Sequence, residues 1–390
     1  MAPAIPNLDE LIGWRRHLHS IPEFGFEEVK TSAFVAEKLR AMPGIEVTTG
    51  IGRTGVVGVL HGKRAGSNRT VALRADMDAL KITERTGLPH ASNHAGRMHA
   101  CGHDGHTTML LGAARELSAN PDFSGRLVFL FQPAEEHGQG ARAMIADGVL
   151  ERFGIDELYG LHNMPGLAVG HFGTRIGPVM AAEDNFEIRV KGKGGHAARP
   201  QWAKDPIVTA SHIVVALQSI VSRRLDPMEQ GVVSVTEFLT DGAVNVLPET
   251  VTLKGDARSF AAPVQQMIEA EMRAQAEGIA KAFGSMAEVD YLHVFASTIN
   301  HEAETEEALA AARDVMGDAA VDSAYPPMMG SEDFGLFLEH RPGNFAFIGN
   351  GVGVPHCAEP LHNAAYDFND DAIAPGVAYW CGLARQRLRP

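Results

Sequence analysis

Residues 99–106 read His-Ala-Cys-Gly-His-Asp-Gly-His, which packs a thiol, three imidazoles and a carboxylate into one short stretch. Thiolate and imidazole are the preferred ligands of zinc and of its neighbours in the transition series. In an extended segment Cys101 and His103 project to the same side and can reach one ion. Residues 107–117, rich in Met, Leu and Ala, predict a buried helix with Asp104 near its start. A helix N-terminus there favours the thiolate form of Cys101. A solvated polar turn is the plainer reading of one such histidine, but a cluster this dense argues for a metal.

The second chemical signal is the pair Glu135-Glu136 within Gln132-Pro-Ala-Glu-Glu136. Adjacent carboxylates from one turn do not easily serve the same ion, yet they can divide labour, one ligating and the other free to take a proton. A metal brings the pKa of water toward about 7, and a nearby carboxylate completes the nucleophile. A solvated acidic turn is the alternative. Two further sites carry metal-type residues: Asp76 and Asp78 follow one apolar run, and His162-Asn163 follow another. A fourth imidazole, His362, lies in Leu-His-Asn.

These residues need elements to bring them together. The run Leu-Val-Phe-Leu-Phe at 127–131 is continuously apolar, as expected of a strand buried on both faces of a parallel sheet. Strands at 70–74 and 158–161 alternate with helices at 8–19, 26–41 and 107–118, which predicts an α/β layered domain with a mostly parallel sheet. In such sheets ligands gather at the carboxyl ends of strands, where the metal-type residues fall. From residue 185 the pattern changes. Strands at 186–190, 231–238, 249–257 and 287–295, with helices at 206–223 and 263–283, give the β-α-β-β-α-β order of a ferredoxin-like unit. Helices at 304–316, 333–338 and 371–388 and a strand at 344–349 follow. The expected organisation is a catalytic domain of residues 1–183 and 296–390 with a ferredoxin-like domain, 184–295, inserted.

Glycine-rich decoys are set aside. Gly50-Ile-Gly52-Arg-Thr-Gly55 matches the dinucleotide fingerprint, but the strand-like 56–60 follows where a helix is required, so a hairpin turn is expected. Gly192-Lys-Gly-Gly195 has no helix directly after it, and Ser331 lacks the Gly-x-Ser-x-Gly elbow.

With 390 residues the chain is too long for a single core, and its net charge of −14 with no basic tract makes nucleic acid an unexpected partner. No apolar run of membrane-spanning length stands out. Residues 1–11 show no basic-then-apolar leader, so the cytoplasm is expected. Three cysteines at unrelated spacings argue against a disulfide framework.

The ordered motifs now resemble a known family. Arg74-Ala-Asp-Met-Asp-Ala-Leu80, the segment 98–106, Gln132–Glu136, Gly160-Leu-His-Asn163, Gly194-Gly-His-Ala197, Asn245-Val-Leu-Pro248, Gly330-Ser-Glu-Asp-Phe334 and Leu361-His-Asn363 are similar to those of the aminoacylase–hippurate hydrolase group of metal-dependent amidohydrolases, which includes plant hydrolases of auxin conjugates. The resemblance implies two divalent metal ions held by Cys101, His103, Glu136, His162 and His362, with Glu135 as general base. It implies that the inserted domain is a lid and dimer interface, making a homodimer. It further implies that His196 stabilises the oxyanion in a neighbouring subunit's site and that Asn245 and Arg258 hold the free carboxylate of the substrate. Zn2+ suits one thiolate with three imidazoles, with Mn2+, Co2+ or Ni2+ as other occupants. The expected reaction is hydrolysis of an N-acyl amino acid. A dipeptidase or N-acetyl deacetylase is the alternative within the family, and a non-catalytic metal-binding scaffold the alternative outside it. Lys81 and Met164 depart from the family's usual Pro and aromatic, which bears on the acyl group accepted.

Overall fold

The apolar run at 127–131 lies in a strand, Arg126–Gln132, that is buried from Leu127 onward. It belongs to an eight-stranded sheet of the computed structural model, which describes residues 5–390. The strands are ordered Ile45–Ile51, Gly55–His61, Arg126–Gln132, Thr70–Asp76, Glu157–Pro165, Gly343–Gly351, Phe172–Gly173 and Val321–Asp322. The centre is parallel: Thr70–Asp76 pairs with Arg126–Gln132 and Glu157–Pro165, which in turn pairs with Gly343–Gly351. The edge is an antiparallel hairpin, Ile45–Ile51 with Gly55–His61, turned by the glycines of the nucleotide-motif decoy. Helices Leu8–Ser20, Val29–Arg40, His103–Ala119 and Ile373–Arg387 contribute to a core in which Leu110 and Leu117 join Val71, Leu73, Phe129, Val377 and Trp380.

Two compact units make up the chain. The first comprises the chain up to Val179 with Ile299–Pro326 and Asp333–Pro390, and the second comprises Met180–Thr298 with Pro327–Glu332. The return of Pro327–Glu332 to the second unit has a local cause, since the Ala181 N–H donates to the carbonyls of Met328 and Gly330.

The second unit holds the strands Ala182–Lys191, Gly231–Thr240, Thr250–Ser259 and Met286–Phe295 in one antiparallel sheet. Helices Pro206–Ser219 and Ala262–Ala282 pack on it through Ile213, Leu217, Ile268 and Met272 against Ile188, Val190 and Leu253. This is the ferredoxin-like order. No apolar run of membrane-spanning length is expected from the sequence, yet the stretch Pro206–Arg224 is long and apolar enough, by composition alone, to cross a membrane. Here Thr209, Ala210, Ile213 and Leu217 are buried.

Two helix starts differ from expectation by three or four residues. The helix expected at 107 begins at His103, because Gly102 takes a left-handed conformation (φ 93°) that turns the chain into the helix. The helix expected from 26 begins at Val29, since Phe26 is itself left-handed (φ 65°) and cannot continue a right-handed helix.

Candidate metal centre

Three neighbouring strands deliver chemistry to one sheet edge. Thr70–Asp76 ends in Asp76 with Asp78 just beyond, Arg126–Gln132 leads into the 3-10 turn Glu135–His137, and Glu157–Pro165 carries His162. Cys101 and His103 meet them through the turn at Gly102, not through an extended segment. A side chain there would collide with the Asn163 amide and the Tyr366 hydroxyl, so only glycine fits. His362 arrives on a loop pinned by its N–H to the Ala100 carbonyl at 2.8 Å, with the residue itself left-handed at φ 65°.

The donor atoms converge. The Cys101 Sγ lies 3.4 Å from His162 Nε2, and with His103 they form a three-donor group within 4.8 Å. Cys101, Glu136 and His362 form a second such group, and His103, Glu135 and Glu136 a third. His103 Nε2 stands 3.8 Å from Glu136 and 3.9 Å from Glu135, and His362 Nε2 stands 3.5 Å from Glu136. All five expected ligands and the expected base therefore meet in one place.

The hydrogen bonds aim these donors inward. His162 Nδ1 donates to its neighbour's carbonyl at 2.7 Å, which leaves the Nε2 lone pair facing Cys101. His103 Nδ1 faces Asp78 at 3.2 Å, and its buried Nε2 has no hydrogen-bond partner among the described residues. The same holds for Glu136 Oε1. An orphaned imidazole nitrogen and an orphaned carboxylate oxygen, both buried, are donors that fit a cation. A carboxylate or carbonyl behind each imidazole is the usual arrangement around a protein-bound metal.

Charges are matched accordingly. Burial opposes charge on His103, yet Asp76, Asp78 and Glu136 outweigh it and raise its pKa to about 10. Burial, helped by His106, holds His162 far below the usual histidine range, in the neutral form. Burial works against ionisation of Glu136, but the hydrogen bond from His362 and the charge of His103 keep its carboxyl low.

A second layer of hydrogen bonds, whose partners residue spacing did not pair, supports this one. Asp78 also accepts the Glu136 N–H at 3.1 Å. Asp76 is held by His106 Nδ1 and by Arg74, both at 2.7 Å, and the far nitrogen of His106 accepts the Asn163 N–H at 2.9 Å. Buried Arg74 also binds Gln132 at 2.8 Å and Asp333 at 3.1 Å, and Asp333 takes the Ala141 N–H at 2.9 Å. Asp104, whose role the sequence left open, turns away: its Oδ2 lies 2.8 Å from His19 and 3.7 Å from Arg15. His99 is buried with neither ring nitrogen bonded among the described residues, and burial pushes its pKa down to about 4.

The remaining expected residues lie in the second unit. His196 pairs in register with Val246, and Ala197 donates to the Asn245 carbonyl, so His196 and Asn245 are neighbours on exposed short strands and turns. The Ala198 N–H donates to His196 Nδ1 at 3.1 Å, which leaves the proton on the outward Nε2. Arg258 is engaged by Glu183 and Asp256 at 2.9 Å each and donates to the Ser331 hydroxyl at 3.1 Å.

Comparison with known proteins gives the family. The model of peptidase family M20/M25/M40 matches residues 72–386. The chain is 41% identical to a hippurate hydrolase of Campylobacter jejuni over 96% of both proteins. It is 44% identical to an N-acetyl-L-cysteine deacetylase of Bacillus subtilis, over 97% of this chain and 88% of that protein. The crystal structure of the Bacillus subtilis YXEP protein, described as a dinuclear metal-binding peptidase of the M20 family, superposes with a TM-score of 0.85 at 34% identity over 98% of both chains. The chain belongs to peptidase family M20/M25/M40 and is a metal-dependent amidohydrolase that uses two divalent ions.

Proposed function

We propose that the protein hydrolyses N-acyl amino acids to a carboxylic acid and a free amino acid, with Glu135 as the general base. One observation carries this reading: Glu135, 6% exposed, stands among the donors Cys101, His103, Glu136, His162 and His362 while its neighbour Glu136 faces two of their histidines. Cations held by those five residues would polarise the amide carbonyl and bring the pKa of water at the site toward about 7. Glu135 takes a proton from the water as its oxygen bonds to the acyl carbon. The carbon–nitrogen bond then breaks, and Glu135 hands the proton to the leaving amine. The outward Nε2–H of His196 suits an oxyanion donor, which typically contributes about 2.7–4 kcal/mol. Asn245 and Arg258 are assigned to the substrate's carboxylate. Arg258 offers its planar fork only by sharing or exchanging its bonds to Glu183 and Asp256.

Zn2+ is the favoured ion on the strength of one thiolate and three imidazoles, before Mn2+, Co2+ or Ni2+. The second unit is assigned the role of lid and dimer interface, through which His196 serves a partner subunit. None of the three cysteines, all among the described residues, is in a disulfide, which supports a reducing, cytoplasmic setting. The similarity to a deacetylase favours a second reading in which the acyl group is acetyl. Rates on hippurate and on N-acetylcysteine, with and without chelator, discriminate the two. In the same assay Glu135→Gln is expected to retain its metal and lose about 10²–10⁴-fold in turnover; full turnover in that variant removes the assignment of Glu135.

A further inference from the structure

We propose that Glu28 is a positioning residue for Glu135, acting through the backbone N–H of Ala134. The inference rests on the reading of Glu135 as general base. Glu28 occupies the N-cap of the helix Val29–Arg40 but makes no side-chain cap bond. Glu23 caps that helix instead, accepting from the N–H groups of Lys30 and Thr31 at 2.9 Å and from the Thr31 hydroxyl at 3.0 Å. Released from the local duty of its position, the fully buried Glu28 carboxylate reaches across the fold. One oxygen accepts the Ala134 N–H at 2.8 Å, and the other accepts the Thr54 hydroxyl at 2.6 Å.

Ala134 is the residue that aims the two site carboxylates. It is left-handed (φ 50°), a conformation unfavourable for a non-glycine residue, and Glu135 and Glu136 follow it directly. Its carbonyl accepts the Gly140 N–H at 3.0 Å, so Glu28 supplies the anchor on the amide side. Gly25 closes over the same turn, where even a Cβ would stand 2.8 Å from Ala134. Among the described residues Glu28 takes part in no ion pair, and the Asp78 charge opposes its ionisation. A buried carboxyl without a cation is unfavourable for stability. The geometry it imposes on Ala134 is what the carboxylate provides, and displacement of a reacting group by about 1 Å is worth on the order of 10²-fold in rate.

The test compares Glu28→Ala, Glu28→Gln and Glu135→Gln as the metal-loaded full chain, by kcat, KM and bound metal per chain. Glu28→Ala is expected to lower kcat by about 10–100-fold with KM within about twofold and metal content retained. Glu28→Gln keeps an acceptor for the Ala134 N–H and is expected to restore most of the loss. In the Glu135→Gln background Glu28→Ala is expected to change the residual rate no further. If Glu28→Ala is too unstable to purify, adding Ala134→Gly relieves the left-handed penalty while leaving the turn unanchored, and kcat stays low. Wild-type kcat in Glu28→Ala or in that double variant, with Glu135→Gln inactive, overturns the positioning role alone. An active Glu135→Gln overturns both readings.

Discussion

The Asp78 carboxylate lies 3.2 Å from His103 Nδ1, and its other oxygen accepts the Glu136 N–H. One side chain thus orients an imidazole and a carboxylate that face the same site. Asp78→Asn keeps the size and loses the charge. Metal affinity is expected to fall by about 10–100-fold, read by competition with a chelating dye. Unchanged affinity would mean that Asp78 is a bystander.

Arg74, 1% exposed, stands between Asp76 and Asp333. Arg74→Met takes one cation from two buried carboxylates, and losing one partner of such a group costs about 3–5 kcal/mol. Urea denaturation checks this. A midpoint equal to that of the parent would show that the two aspartates find other compensation.

His19 gives a pH signature. Burial disfavours its charge, but Asp104 and Glu84 outweigh burial and raise its pKa to about 10, from the ordinary histidine value of 6.5. A raised folded-state value means that its contribution is complete below about pH 6.5 and is lost as pH rises through about 10. Between those limits unfolding free energy should decline by up to about 1.4 kcal/mol per pH unit from this group. His19→Gln should flatten that decline relative to the parent. Parallel curves for the two proteins from pH 7 to 10 would refute the linkage.

Glu28 has the opposite consequence for stability and for activity. Burial, with Asp78 adding to it, raises its carboxyl to about 7 from 4.5. Its favourable contribution is therefore present below about pH 4.5 and lost as pH rises through about 7. Glu28→Gln should melt a few degrees above the parent at pH 8, with the gap closing near pH 5, while turnover does not improve. An equal melting temperature at both pH values would count against a carboxylate ionised at a cost.

Much of this architecture is legible in residue type and strand position. His162 and Glu135-Glu136 announce themselves because polar groups at the end of a buried parallel strand must have somewhere to point. The glycines at 50–55 read correctly as a hairpin because a strand, not a helix, follows. What stays hidden depends on long-range pairing. Nothing near Arg15 or His19 in the chain signals that they meet Asp104, and Glu28, inside the helix expected from 26, gives no sign that it reaches Ala134. The start of the helix at His103 was also hidden, because a left-handed Gly102 is a property of its surroundings, not of local propensity.

His362 joins Cys101 and Glu136 across the whole inserted unit. During synthesis, the other four donors leave the ribosome well before this last imidazole does. A nascent or truncated chain can hold only an incomplete constellation, whereas the second unit, nearly contiguous in sequence, can form its sheet early. The order of translation therefore delays a competent hydrolytic centre until the surrounding fold is nearly built.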